Sequence, residues 1–214
     1  MNGFITRLGT SAFLLASLSV WGIQTAQAHP ASQASTGTNS AGHLQPGGRR
    51  HGNLTNPYVK IYCDGTGVNN NGVDCPCGNT LPPGADQGCA NRTGHGASLI
   101  PTGVPSVSND TLVITATGMP LGVPAFFFAG ATTGPPIVIG NGIRCISGPI
   151  TRLTKVAHAS SSDSYPAPGT PPISVQLNVT PGTATYFQCL YRDTGGPCGG
   201  TVNATNAIMV LWGT

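Results

Sequence analysis

Acidic side chains are nearly missing from this 214-residue chain: it has no Glu and six Asp, and charged residues make up 7% of it. Nine Lys or Arg bring the formal net charge to +3. With only Arg49-Arg50 adjacent, that balance builds no basic face of the kind a nucleic-acid backbone requires, which argues against a nucleic-acid partner. Long hydrophobic runs are missing too. The longest, Ser11 to Ile23, falls short of the roughly 20 residues that cross a bilayer, so no membrane span is expected in the mature chain. No segment keeps a 3.6-residue apolar period for more than a turn or two, and proline recurs at short intervals, which excludes substantial helix. The chain has no G-x-S-x-G elbow and no C-x-x-C pair, so it offers neither a serine-hydrolase nor a thiol-oxidoreductase signature.

What is present begins with a secretory signal at residues 1–28. Arg7 supplies the positive region, Ser11 to Ile23 the apolar core, and Ala26-Gln27-Ala28 a small-x-small cleavage site. Its c-region contains no cysteine to carry a lipid. Residues 29–56, rich in Ser, Thr, Gly, Asn and Gln, hold too little apolar surface to order themselves and read as a flexible leader. Residues 57–92 carry four of the seven cysteines in a loop-rich segment, where cross-links substitute for a core.

From residue 93 the pattern becomes strands. Leu112, Ile114 and Ala116 alternate with polar or solvent-facing neighbours, and so do Ile173, Val175, Leu177 and Val179. Further apolar runs fall at Ala125–Ala129, Pro136–Ile139, Ile150–Ala157, Thr183–Tyr191 and Asn206–Trp212. They are separated by turn clusters that include Gly134-Pro135, Gly140-Asn141-Gly142 and Pro181-Gly182. The expected fold is an all-β, disulfide-stabilised antiparallel sandwich, Ig-like or jelly-roll, with the Cys-rich segment packed on it.

In an exported chain, cysteines are read first as disulfides. The count is odd. Cys189 is the one expected to remain a thiol, since it shares a strand face with Phe187 and Tyr191 and behaves there as a small hydrophobe. The other six, Cys63, Cys75, Cys77, Cys89, Cys145 and Cys198, pair in an order that sequence leaves open. Segment proximity favours Cys145 with Cys198, Cys63 with Cys75 and Cys77 with Cys89. Zinc at Cys75-Pro-Cys77 lacks the usual ligand spacing and a second matching pair.

Three constellations could carry chemistry. Asp64, Asn69, Asn71 and Asp74 crowd side-chain oxygens into one short loop and suit calcium, although an Asn-Gly turn between two cysteines explains the same residues. The six Asp offer carboxylates for a hydrolase, without a second signal to single out a pair. Cleavage after Ala28 would expose His29 as an amino-terminal copper chelator, but ahead of a leader that gives it no rigid support. Binding is the leading alternative to catalysis. In the strand Thr183 to Arg192, Tyr186 and Arg192 lie opposite Phe187 and Tyr191, and are expected to face outward as ligand-binding residues.

The succession YCDGTG, CPCGN, GCANRTGHGASL, PSVSNDTLVITATGMP, GNGIRC, FQCLYRD and TNAIMVLW resembles a family of secreted proteins widespread in planctomycete-type bacteria. The resemblance runs from Tyr62 to the C-terminus. It implies an exported, disulfide-containing β domain, and it brings no catalytic residues to carry over. The chain departs at Cys189-Leu190, where relatives tend to show a hydrophobe followed by Trp, in keeping with an unpaired Cys189. The expected role is a secreted, non-catalytic extracellular module, structural or binding a polysaccharide or cell-surface component. A secreted enzyme, an Asp-dependent hydrolase or a His29 copper oxidase, is the alternative.

Overall fold

The computed structural model describes residues 56–214 apart from 71, 158 and 159, with residues 154–157 described for their backbone alone. The expected signal, nearly all of the expected leader, His29 and Asn71 lie outside the described residues. Among the described residues no helix is long and apolar enough to cross a membrane.

Period-2 apolar patterning becomes two antiparallel sheets facing one another. The larger has the order β1 (Val59–Cys63), β9 (Ala207–Leu211), β7 (Ala184–Arg192), β4 (Pro124–Ile139) and β5 (Gly142–Ala157), with β8 (Val202–Ala204) pairing onto β7. The smaller has the order β2 (Ser98–Thr102), β3 (Val113–Thr117) and β6 (Asp163–Tyr165). Alternation in β3 works as its sequence requires, with Ile114 and Ala116 fully buried between the sheets. From the other sheet Phe127, Phe187, Tyr191, Ile208 and Val210 meet them, and Phe127 stacks on Tyr165 at 5.9 Å between centroids. The all-β, disulfide-stabilised sandwich is thus the fold. The larger sheet takes an edge strand, β1, from the Cys-rich segment.

Two elements differ from their sequence reading. Ile173 to Val179 is not a strand: Ile173–Leu177 makes a single helical turn, α1. Pro171-Pro172 leads into it, the Asp110 carboxylate accepts the Ser174 N–H at 2.7 Å, and Asn178 closes it in the left-handed region at φ 49°. An alternating apolar run this short fits either period. Here Ile173 faces the core, Leu177 packs beside it and Val175 is exposed. Secondly, Ala125–Ala129 and Pro136–Ile139 belong to one 16-residue strand, β4, with Gly134-Pro135 absorbed in a register irregularity between Thr133 and Ile137.

The β4–β5 hairpin is longer than the sheet it belongs to, and its distal half lies across the outer face. Gln188, at the middle of β7 and fully buried, donates to the Ile143 and Thr205 carbonyls and accepts the Cys145 N–H at 3.1 Å. This fold-over corrects the expected pairing. The disulfides are Cys63–Cys145, Cys75–Cys89 and Cys77–Cys198, not Cys63–Cys75, Cys77–Cys89 and Cys145–Cys198. Nearness in sequence fails because the hairpin carries Cys145 over to the end of β1. There Cys63, Cys75, Cys89, Ile143, Cys145 and Ala207 form a second small core. Cys189 is the free thiol, as its strand face indicates.

Candidate functional site

The polar residues that punctuate the sequence converge on one buried network. Asn141, in the turn between β4 and β5, donates through Nδ2 to the Asp193 carbonyl at 2.8 Å, to Asp193 Oδ2 at 2.9 Å and to the Gly200 carbonyl at 3.1 Å. Its Oδ1 accepts the N–H groups of Gly200 at 2.9 Å and Cys198 at 3.3 Å. Asp193 also accepts from the Arg92 N–H and from Asn203 Nδ2. Asn141, Asp193 and Asn203 are all fully buried. A methyl group on Gly196 would collide with both the Asn141 amide and the Asp193 carboxylate, which accounts for glycine there. The GNG turn and the YRD strand end are thereby structural: each satisfies the other's buried hydrogen-bonding groups.

The expected calcium loop is organised around Asp64. Its carboxylate accepts the Thr66 N–H at 2.8 Å, and also the Thr66 hydroxyl and Asn69 Nδ2, while Asn70 bonds the Asp64 backbone on both sides. This is a self-contained Asx-type turn in which donors already occupy the buried carboxylate. Asp74 is exposed and sits beside Gly67. Asn69 and Asp64 are brought together; Asp74 is not hydrogen-bonded into their cluster.

The Asp residues that a hydrolase would use are dispersed over separate tasks. Asp64 builds this loop, Asp110 caps α1 and the Leu112 N–H, and Asp193 belongs to the Asn141 network. His95 is exposed, its carbonyl accepting the Asn91 N–H. His158 and His29 lie outside the described residues.

Cys189 is fully buried between the sheets, and burial pushes its thiol above the ordinary cysteine range. A thiol held protonated in apolar surroundings does not attack disulfides. We therefore expect no reaction of the native protein with a thiol reagent, and one thiol per chain on unfolding without reductant. Two or more, or rapid reaction of the native state, would contradict the pairing.

The even-numbered face of β7 separates the two expected binding residues. Tyr186 is half-buried, packed edge-on against Tyr62 at 5.1 Å, so it is not a free outward-facing ring. Arg192 is exposed at the far end of the strand, six residues or roughly 20 Å away. Arg192 borders a groove of about 290 Å³ whose walls are Pro124, Phe126, Leu190, Val202 and Ile139. The Arg192 Nε donates to Thr194 Oγ1 at 3.1 Å. On the neighbouring strand the Arg152 guanidinium lies 4.6 Å from the Phe126 ring centroid, a cation–π contact. Sequence reasoning reaches Arg192 and misses Phe126, Leu190 and Arg152. The available signal is the ladder position: Phe126 pairs with Leu190, on the same face of the sheet as Arg192.

A larger hollow of about 410 Å³ lies at the other end of β7, lined mainly by small residues and threonines including Thr151, Thr180, Thr183 and Thr185. It presents no charged group. Comparison with known proteins adds no name to either surface: no family model, curated protein or solved structure matches this chain.

Proposed function

We propose that this chain is an exported, non-catalytic extracellular module that binds a cell-surface or matrix polysaccharide, and that the groove between Phe126 and Arg192 is where it binds. The observation that carries this reading is that groove: an apolar floor, an aromatic ring and an exposed guanidinium on rigid sheet strands. A pyranose presents the matching combination, an apolar C–H face for the ring and wall, and hydroxyls for the charged rim. Three disulfides and the signal-like N-terminus support an oxidising, extracellular destination. The resemblance to planctomycete-type secreted domains supports the same reading.

The test is a pull-down of the mature protein against insoluble and immobilised polysaccharides, with Val202→Asp as its partner variant. Val202 sits at the groove wall on a short, partly exposed strand, so a carboxylate there spoils the apolar wall without emptying the core. Wild-type retention on at least one polymer, reduced at least about tenfold by Val202→Asp at unchanged melting temperature, is the expected result. Failure to bind any polymer, with the protein recovered in the insoluble envelope fraction, would replace binding by a purely structural role.

A further inference from the structure

We infer that the groove selects a carboxylated polysaccharide, one built from uronic-acid units, over a neutral one. The inference rests on the binding reading above and adds the chemistry of the ligand. Charge decides it. In a chain with few charges, two guanidiniums flank the same phenylalanine: Arg192 at the groove and Arg152 over the Phe126 ring.

No carboxylate lines the groove. The nearest in sequence, Asp193, turns inward and is fully buried, its oxygens engaged by Asn141, Asn203 and the Arg92 N–H rather than by Arg192. Arg192 makes a single side-chain hydrogen bond, through Nε to a neutral threonine, and its terminal nitrogens bond no described residue. A guanidinium in that state presents a planar pair of donors that match a carboxylate in a bidentate arrangement. The apolar wall contributes the second half of the recognition. A bare phosphate or sulfate has no face to lay on Phe126, Leu190 and Val202, whereas a uronate ring carries a C–H face and a carboxylate on one rigid unit. Open at the surface and about 290 Å³ in volume, the groove lies at the low end for ligand sites, which fits one or two units of a polymer passing across the sheet.

The experiment uses polygalacturonate and the same polymer with its carboxylates methyl-esterified, measured against the full mature protein by affinity electrophoresis and calorimetry. Polygalacturonate is expected to bind at least about tenfold more tightly than its methyl ester, a difference of about 1.4 kcal/mol. Arg192→Gln should remove most of that preference and Arg152→Gln a smaller part of it, and Arg192→Lys should retain only part of it, because an ammonium cannot make the paired contact. Lys60→Gln, on β1 at the opposite edge of the sheet, should leave it unchanged. The side chains of Arg192, Arg152 and Lys60 are all exposed, so melting temperatures serve as the check on folding. Equal binding of free and esterified polymer would overturn the carboxylate inference while leaving polysaccharide binding in place. Polyphosphate bound as tightly as polygalacturonate would overturn it as well, since charge alone would then suffice. Absence of binding to every polysaccharide would remove both readings together.

Discussion

Asn141→Ala is expected to lower the stability of the protein by about 3–5 kcal/mol, among the largest effects of any single substitution outside the apolar core. The side chain donates to two carbonyls and one carboxylate and accepts two backbone N–H groups, with Asn141 and Asp193 themselves fully buried. Removing it leaves the Asp193 carboxylate with the Arg92 N–H and a long 3.3 Å contact from Asn203, and orphans the Gly200 carbonyl and N–H. Each buried group left without a partner costs about 1–3 kcal/mol. Asn141→Asp sharpens the case, because it preserves shape and replaces the amide donor with a second carboxylate against Asp193 Oδ2. Two buried like charges at that distance should destabilise more than truncation does. Thermal unfolding of the two variants checks both statements. If Asn141→Asp melts at or above Asn141→Ala, the network is not held by donation from the amide. The consequence reaches the groove, since Asp193 follows Arg192 directly in the chain and fixes the end of β7.

How far the sequence discloses this arrangement depends on the length scale each residue obeys. Ile114 and Ala116 can be assigned to the core because strand alternation is local and β3 keeps it without interruption. The α1 turn cannot, because Ile173, Val175 and Leu177 satisfy a period of two and a single helical turn equally. The decision belongs to Asp110, more than sixty residues away, whose carboxylate caps Ser174. The disulfide partners are illegible for the same reason on a larger scale: the fold-over of the β4–β5 hairpin determines them, and nothing near Cys63 or Cys145 encodes it. The groove stands between these cases. Alternation places Arg192 opposite Phe187 and Tyr191, but three phenylalanines in a row hide which ring faces out. Phe127 is buried in the core between the sheets, Phe128 is buried where it pairs with the buried Gln188, and Phe126 is left half-exposed at the groove wall. Alternation also puts Tyr186 on the correct face, yet that face is roofed there by Tyr62, which the pattern of one strand does not reveal.

The disulfides should contribute unequally, in the order of the loops they close. On chain-entropy grounds Cys75–Cys89, with a separation of 14, is worth about 3 kcal/mol, and Cys77–Cys198, with a separation of 121, about 5 kcal/mol. The second is also the cleaner experiment. Cys77 is exposed and Cys198 half-buried, so Cys77→Ser with Cys198→Ser removes the tether with little loss of packing, whereas Cys75 and Cys89 are both buried and their removal adds a packing cost. The expected result is a fall of about 5 kcal/mol in unfolding free energy for this double variant, read from urea midpoint and slope together, the slope rising because the unfolded chain exposes more surface without the cross-link. That is a large share of the roughly 5–15 kcal/mol typical of a domain. Because the Cys198 N–H bonds Asn141 Oδ1 at 3.3 Å, the tether and the buried network hold the same loop. The combination with Asn141→Ala should therefore cost less than the two effects added together, since a loop already released has less to lose. Strict additivity would show that the two act on separate parts of the fold, and a wild-type midpoint for the double variant would show that the long-range tether stabilises nothing.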